Sequence, residues 1–370
     1  MRIRQMTQTK KPKLLYAAST ASHLKRFHMP YIQALREEYD VYLLGTEGEG
    51  IDFAINFSKG FFSPANFLAI PKVRKILKRE KFDRVIVNTT LAAFVIRMAM
   101  IGLRHRPKLL NVVHGYLFSK PITGLKAKLL LFCEKLLRKK TDALAVMNDE
   151  DLSIAKQYRL TNGEISFLYG MGIPDQVPSI AYDHNLRVRY ASEQTDFLCT
   201  FVGELSSRKN QIFLIRAAER LQREGVPIRL LLAGEGGMRE ELEAEIERLH
   251  ANEYVFLPGN LEPILPYLAI TDLYVSASVS EGLPFNVMEA MAMGLPVVMS
   301  DTKGQSDLHQ NDQSILYPLN DTEAFCQALK RVWESKTYGM NTCSYPYLER
   351  YRLSSVFDEN VRILKGENET

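Results

Sequence analysis

The stretch SEGLPFNVMEAMAMGLPVVMS, residues 280–300, holds a turn, a helix and a strand in immediate succession. Proline is favoured in the first turn of a helix and glycine just past its end, so Pro284 predicts the start and Gly294 the stop, about three turns apart. The apolar run Pro296–Ser300 follows at once and reads as a buried strand. A helix feeding directly into such a strand is the unit from which parallel α/β sheets are wound. The stretch also carries chemistry. Glu289 sits among Val287, Met288, Ala290, Met291 and Ala292, where an ionised carboxylate is costly unless hydrogen-bonded. Glu281 lies in the turn, beside the N–H groups of a helix start, where an anion is stabilised. One end of this helix thus suits a phosphate, and the two carboxylates suit hydroxyl groups, as in a nucleotide-sugar pocket.

Outward from this stretch, short apolar runs alternate with amphipathic helices along the whole chain. Strands are predicted at Lys13–Ser19, Asp40–Thr46, Arg84–Asn88, Lys108–His114, Ala143–Asn148 and Ile165–Tyr169. A second set is predicted at Phe197–Gly203, Arg229–Ala233, Tyr254–Leu257, Leu273–Ala277, Pro296–Ser300 and Ile315–Pro318. Helices Gln211–Arg223, Arg239–Leu249 and Thr322–Ser335 separate members of the second set. The pattern predicts two doubly wound α/β domains, with the Gly- and Pro-bearing stretch Tyr169–Glu193 as linker. In such sheets ligands bind beyond the carboxyl ends of the strands, and every candidate below lies there.

A chain of 370 residues accommodates two domains of ordinary size, and 46% hydrophobic with 24% charged residues is the composition of a globular protein. Cys133, Cys199, Cys326 and Cys343 are scattered, without metal-ligand or disulfide spacing, which favours a reducing, cytoplasmic setting. The basic start MRIRQMTQTKKPK lacks the apolar core of a secretory signal. The longest near-apolar run, Val85–Leu103, is interrupted by Asn88 and Arg97, so no membrane span is expected. Net charge is +4, but residues 1–180 carry 29 Lys and Arg against 15 Asp and Glu, while the remainder carries 18 against 28. A basic first half points to an anionic surface or substrate.

Several strand ends carry candidate ligand-binding residues. After Gly203, Arg208 and Lys209 precede a helix start and are placed to hold a diphosphate, or they are a solvated basic pair. Gly234, Glu235 and Gly236 form a strand-to-helix turn that permits close backbone approach, and Pro258, Gly259 and Asn260 form another. In the first half, His114 stands at a strand end, and Ser19, Ser22 and His23 follow the first strand. His28 is a weaker candidate, at the start of an amphipathic helix. Asp149 and Asp151 have the spacing of a divalent-cation site, yet acidic residues are also favoured in the first turn of a helix, and no metal site is assigned. Residues 124–140 read as a basic amphipathic helix suited to anionic lipid headgroups, or packed by its leucines into a core.

Together, Ser19–Leu35, His114-Gly115, Phe201–Gln211, Ala233–Gly236 and Ser280–Val298 resemble glycosyltransferase family 4, the retaining GT-B enzymes, and in particular bacterial exopolysaccharide and capsule transferases. The paired glutamates match that family's E-x7-E motif. The resemblance implies a GT-B fold, with two Rossmann-like domains facing across a cleft. It implies an acceptor domain at 1–175, completed by a C-terminal helix within 350–370, and a donor domain at 176–349. It implies that Glu281 binds hydroxyls of the donor sugar and that the 282–285 backbone (Gly282, Leu283, Pro284, Phe285) meets sugar or diphosphate. By the same resemblance Glu289 binds the ribose, Lys209 and Arg208 neutralise the departing diphosphate, and Gly203, Gly234, Glu235 and Pro258–Asn260 border the nucleotide. His114 would touch the transferred sugar, and Ser19, Ser22, His23 and Asn88 would serve the acceptor. Two departures stand out: Glu204 occupies a position where many members are basic, and Ser19 and Ser22 stand where many have glycine.

The expected reaction is transfer of a hexosyl or N-acetylhexosaminyl group, with retention, from a nucleotide sugar, most simply a UDP-sugar. The expected acceptor is a lipid-diphosphate-linked or free saccharide, in surface polysaccharide synthesis. No metal cofactor is expected, nor nucleic acid, because the basic residues form no recognition module. Location is expected in the cytoplasm, at the inner face of the membrane. Two alternatives are a nucleotide-sugar 2-epimerase and a non-catalytic polysaccharide-binding protein.

Overall fold

The computed structural model describes residues 10–58, 60–178, 180–193, 195–335 and 343–367. The chain divides into two compact units, Met1–Gly172 with Leu353–Thr370, and Ile173–Arg352. The divisions expected at 175 and 350 thus fall at 172/173 and 352/353. The reason is local. Tyr31 Oη donates to the carbonyl of Met171 at 3.1 Å, and a Cβ on Gly172 would lie 2.6 Å from Leu353 Cα, so the backbone through Gly172 is packed into the first unit. The helix Leu353–Lys365 belongs to that unit, where Asn360 Nδ2 donates to Tyr31 Oη at 3.0 Å and to the carbonyl of Gly170 at 2.9 Å.

The first unit is built on seven parallel strands: β1 (Lys13–Ala17), β2 (Asp40–Gly45), β3 (Phe53–Ala54), β4 (Arg84–Asn88), β5 (Lys108–Val113), β6 (Ala143–Val146) and β7 (Glu164–Phe167). Their order across the sheet is β3-β2-β1-β4-β5-β6-β7. Leu14, Leu15, Tyr16, Ala17, Val85, Ile86 and Val87 are fully buried, because helices cover both faces and the central strands need apolar side chains throughout. The second unit repeats the plan with β8 (Phe197–Val202), β9 (Ile228–Ala233), β10 (Val255–Gly259), β11 (Leu273–Ser276), β12 (Val297–Ser300) and β13 (Ser314–Tyr317), in the order β10-β9-β8-β11-β12-β13. In each sheet the winding reverses beside the first strand, between β1 and β4 and between β8 and β11. Those reversals open a crevice at the carboxyl ends, where doubly wound sheets bind ligands.

The helix of the opening stretch differs from its expected form. It runs Phe285–Ala292, about two turns rather than three, with Pro284 at the N-cap instead of in the first turn. Pro284 is extended (ψ 91°), which closes the preceding turn before the helix begins. The stop is as expected. Gly294 has φ +77°, its N–H donates to the Met291 carbonyl at 2.9 Å, and the Leu295 N–H donates to the Ala290 carbonyl at 3.2 Å. This paired closure is the Schellman arrangement, which needs a left-handed residue just past the C-cap.

Candidate active site

In the second unit, glycine backbones meet at the carboxyl end of the sheet. The Gly203 N–H donates to the Ala233 carbonyl at 2.9 Å, and the Gly234 N–H to the Gly259 carbonyl at 2.8 Å. A Cβ on Gly234 (φ +146°) would fall 1.9 Å from the Gly203 carbonyl oxygen, so no side chain fits there. On the edge strand β10, Pro258 lies within a register shift between Phe256 and Gly259 and is exposed, as is Asn260. A proline donates no N–H to a ladder and is tolerated at such an edge. Glu235, in the turn, is drawn toward the helix Arg239–Arg248 by Arg239, with Oε1–Nη2 at 2.7 Å and Oε2–Nε at 2.9 Å; that hydrogen bonding holds its carboxyl below the usual range.

The residues expected to carry charge converge on Glu281. Lys209 Nζ donates to its Oε1 and Arg208 Nη1 to its Oε2, each at 2.6 Å. Glu281 is 7% exposed. Burial by itself would raise its pKa, but Lys209, Arg208 and a hydrogen bond from Ser278 outweigh it and keep the carboxyl below its ordinary value. Burial lowers the Lys209 pKa in turn, opposed by Glu281 and reinforced by the neighbouring Arg208. Sequence spacing gave no sign that one glutamate holds both cations, because they lie on different loops. Gly282, Leu283 and Pro284 are buried and Phe285 half-buried. The helix starting at Phe285 has no side-chain cap and no acidic residue in its first turn, which keeps its N-terminal dipole suited to an anion. Asn286 Nδ2 ties that first turn to β8 through the Val202 carbonyl at 2.7 Å and Tyr274 Oη at 2.8 Å. Asn286 and Gly304, whose Cβ would lie 2.8 Å from the carbonyls of Glu281 and Gly282, escaped the sequence reading. Glu289 is half-buried rather than buried, one face of its helix being open.

In the first unit, the switch point between β1 and β4 gathers the other candidates. Asn88 is fully buried and donates to the Ala17 carbonyl at 3.3 Å; its Oδ1 is 3.4 Å from His114 Nε2. The Ser19 N–H donates to Thr89 Oγ1 at 3.1 Å, while Ser22 is exposed within the short helix Ala21–Phe27. His28, the weaker candidate, is fully buried between that helix and Met29–Leu35, and it joins His23 and His114. Asp149 and Asp151 lie in the first turn of helix Asp149–Tyr158, where Asp151 accepts from the Tyr116 N–H at 3.1 Å and from Asn148 Nδ2 at 2.8 Å. Asn148 caps this helix, its Oδ1 accepting from the Asp151 N–H at 2.8 Å.

Known proteins match this arrangement. Residues 196–335, which hold Lys209, Glu281 and Glu289, match the family model described as "Glycosyl transferases group 1". This chain is a glycosyltransferase. It is 28% identical to the putative glycosyltransferase EpsD of Bacillus subtilis (strain 168), over 87% of each chain. It is 26% identical, over 81% of each chain, to an Escherichia coli enzyme named UDP-Gal:alpha-D-GlcNAc-diphosphoundecaprenol alpha-1,3-galactosyltransferase. Among solved structures, Anabaena Alr3699/HepE in complex with UDP and glucose superposes with a TM-score of 0.75 at 17% identity, covering 96% of this chain and 99% of that one. The glycosyltransferase thus has the GT-B fold, with the group 1 domain in its second unit.

Proposed function

We propose that this glycosyltransferase moves a sugar, with retention of configuration, from a UDP-sugar to a lipid-diphosphate-linked saccharide in surface polysaccharide synthesis. The observation that carries the reading is the Lys209–Glu281–Arg208 cluster beside the uncapped start of helix Phe285–Ala292. Lys209 and Arg208 together outweigh the one Glu281 charge they share, and with the helix dipole they supply a positive field for a departing diphosphate that needs no metal. A donor placed there gives its sugar hydroxyls to Glu281 and its ribose to Glu289, with the base along Gly234 and Pro258–Asn260. The UDP in a structural relative and the uridine donor and diphosphoundecaprenol acceptor named for a sequence relative support this choice.

A second observation favours action at a lipid surface. Helix Leu125–Leu137 turns Leu130, Leu131, Glu134 and Leu137 inward, with Glu134 held by buried Arg97 in a two-pronged pair at 2.7 and 2.8 Å. Its outer side presents Leu125 (85% exposed), Leu129, Phe132 and Leu136 beside exposed Lys126, Lys128 and Lys135. Apolar residues ringed by lysines are the composition of an interfacial helix on anionic lipid. No helix of the described residues is long and apolar enough to cross a membrane.

The test is a thermal-shift series with UDP, GDP and their sugars, with and without chelator, followed by transfer to a polyprenyl-diphosphate saccharide in anionic or neutral vesicles. Chelator-insensitive stabilisation by UDP, of about 2.7 kcal/mol at 100 times its dissociation constant, is expected. Product formed without acceptor would point to an epimerase. Equal transfer in both vesicle types would remove the lipid-surface reading.

A further inference from the structure

Three of the seven histidines meet at one place, beyond the carboxyl ends of β1 and β5: His23 and His28, five residues apart, and the distant His114. One ring nitrogen from each of His23, His28 and His114 lies within 4.8 Å of the others. His23 Nε2 and His28 Nε2 are already 3.2 Å apart. Tetrahedral zinc with bonds of 2.0–2.1 Å to nitrogen sets ligand nitrogens about 3.3 Å apart, so this pair has the spacing of one edge, and His114 completes a face by a small approach. The surroundings also fit. Tyr16 Oη is 2.9 Å from His28 Nδ1, and Asn88 Oδ1 is 3.4 Å from His114 Nε2, which supplies oxygen partners at the far ring nitrogens. Such partners fix the tautomer and orientation of ligating histidines. His28 is fully buried, while His23 and His114 are partly exposed.

We propose that His23, His28 and His114 form a binding site for one divalent transition-metal ion of the zinc class. Three nitrogen donors without a carboxylate select zinc, cobalt, nickel or copper over magnesium and calcium. In the loaded state His28 Nε2 faces the ion and its Nδ1–H donates to Tyr16 Oη. The proposal does not rest on the sugar-transfer reading, but an ion there would occupy a ring nitrogen of His114, which the family resemblance places against the transferred sugar.

The experiment titrates the untagged, metal-stripped full chain with Co²⁺ and records the visible absorption. Expected are saturation at one ion per chain, the strong bands of tetrahedral cobalt, displacement by Zn²⁺ and no displacement by Mg²⁺. His23→Ala and His114→Ala should abolish the bands, and Tyr16→Phe should weaken binding about 10–100-fold. His184→Ala, in the other unit, should leave them unchanged, with circular dichroism confirming that each variant is folded. Absence of saturable uptake by the wild-type chain, or bands that survive in both His23→Ala and His114→Ala, would overturn the site whatever the outcome of transferase assays.

Discussion

Lys209 and Glu281 stand 72 residues apart in the chain and 2.6 Å apart in space, with side chains 9% and 8% exposed. An ion pair this buried is costly to break from one side, because the survivor remains desolvated. Lys209→Met and Glu281→Gln should therefore each lower stability by about 3 kcal/mol and turnover by about 10²–10³-fold. The double variant should cost less than the sum of the two, by about 1–3 kcal/mol, when urea unfolding is measured. Strict additivity would show that the pair is not coupled.

Glu289 is expected to behave oppositely. It is half-buried, so Glu289→Ala should change stability by no more than about 0.5 kcal/mol. Transfer should nevertheless be largely lost, together with stabilisation by UDP. Unfolding and nucleotide titration on the same variant separate the two effects. Intact UDP binding would remove Glu289 from the ribose position.

Two glycines make an internal comparison. Gly225 has φ +83° and no atom within 4 Å of where a methyl group would sit, so Gly225→Ala should cost only the left-handed strain, about 1 kcal/mol. Gly234 has φ +146°, and a methyl there would meet the Gly203 carbonyl at 1.9 Å, so Gly234→Ala must push neighbouring strand ends away from each other. It should lose about 3 kcal/mol or more, beyond strain alone, since the backbone has to shift. Equal losses in urea unfolding would contradict the close approach.

Acid should weaken the first unit through its histidine cluster. Burial depresses the folded-state pKa of His23 to about 4 and pushes those of His28 and His114 well down. The unfolded chain takes up these protons near pH 6.5, so the folded state is full strength above that value. Stability then declines as pH falls from about 6.5 toward 4. At pH 5.5 each ring held neutral should cost on the order of 1 kcal/mol. Unfolding between pH 7.5 and 5 should show this slope, and His28→Gln should flatten it. An unchanged slope in that variant would contradict the burial of His28.

Helices Gln211–Arg223 and Thr322–Ser335 and the strand Arg84–Asn88 fall where the sequence predicts them, since buried parallel strands and amphipathic helices leave distinct periodicities. The strand Phe53–Ala54 was invisible because two residues on a sheet edge leave no period. Lys209, Glu281 and the glycine turns were legible as types at strand ends. Their partnership was not, because it depends on β8 and β11 being neighbours, which follows from the winding and not from local pattern. The surroundings of His28 were hidden for a similar reason. They come from Tyr16 on β1 and from His114 just beyond the end of β5, which no short window contains together.

The return of helix Leu353–Lys365 to the first unit sets an order of maturation. Chains emerge from the ribosome in sequence, and domains close as units once their residues are available. The second unit, ending at Arg352, can close before the helix Leu353–Lys365 has been made. The earlier-made unit must wait for Asn360 to reach Tyr31 and Gly170. Its histidine cluster and lysine-ringed helix thus belong to a unit completed only after all of the second unit has been made, which reverses the usual order in which a nascent two-domain protein is finished.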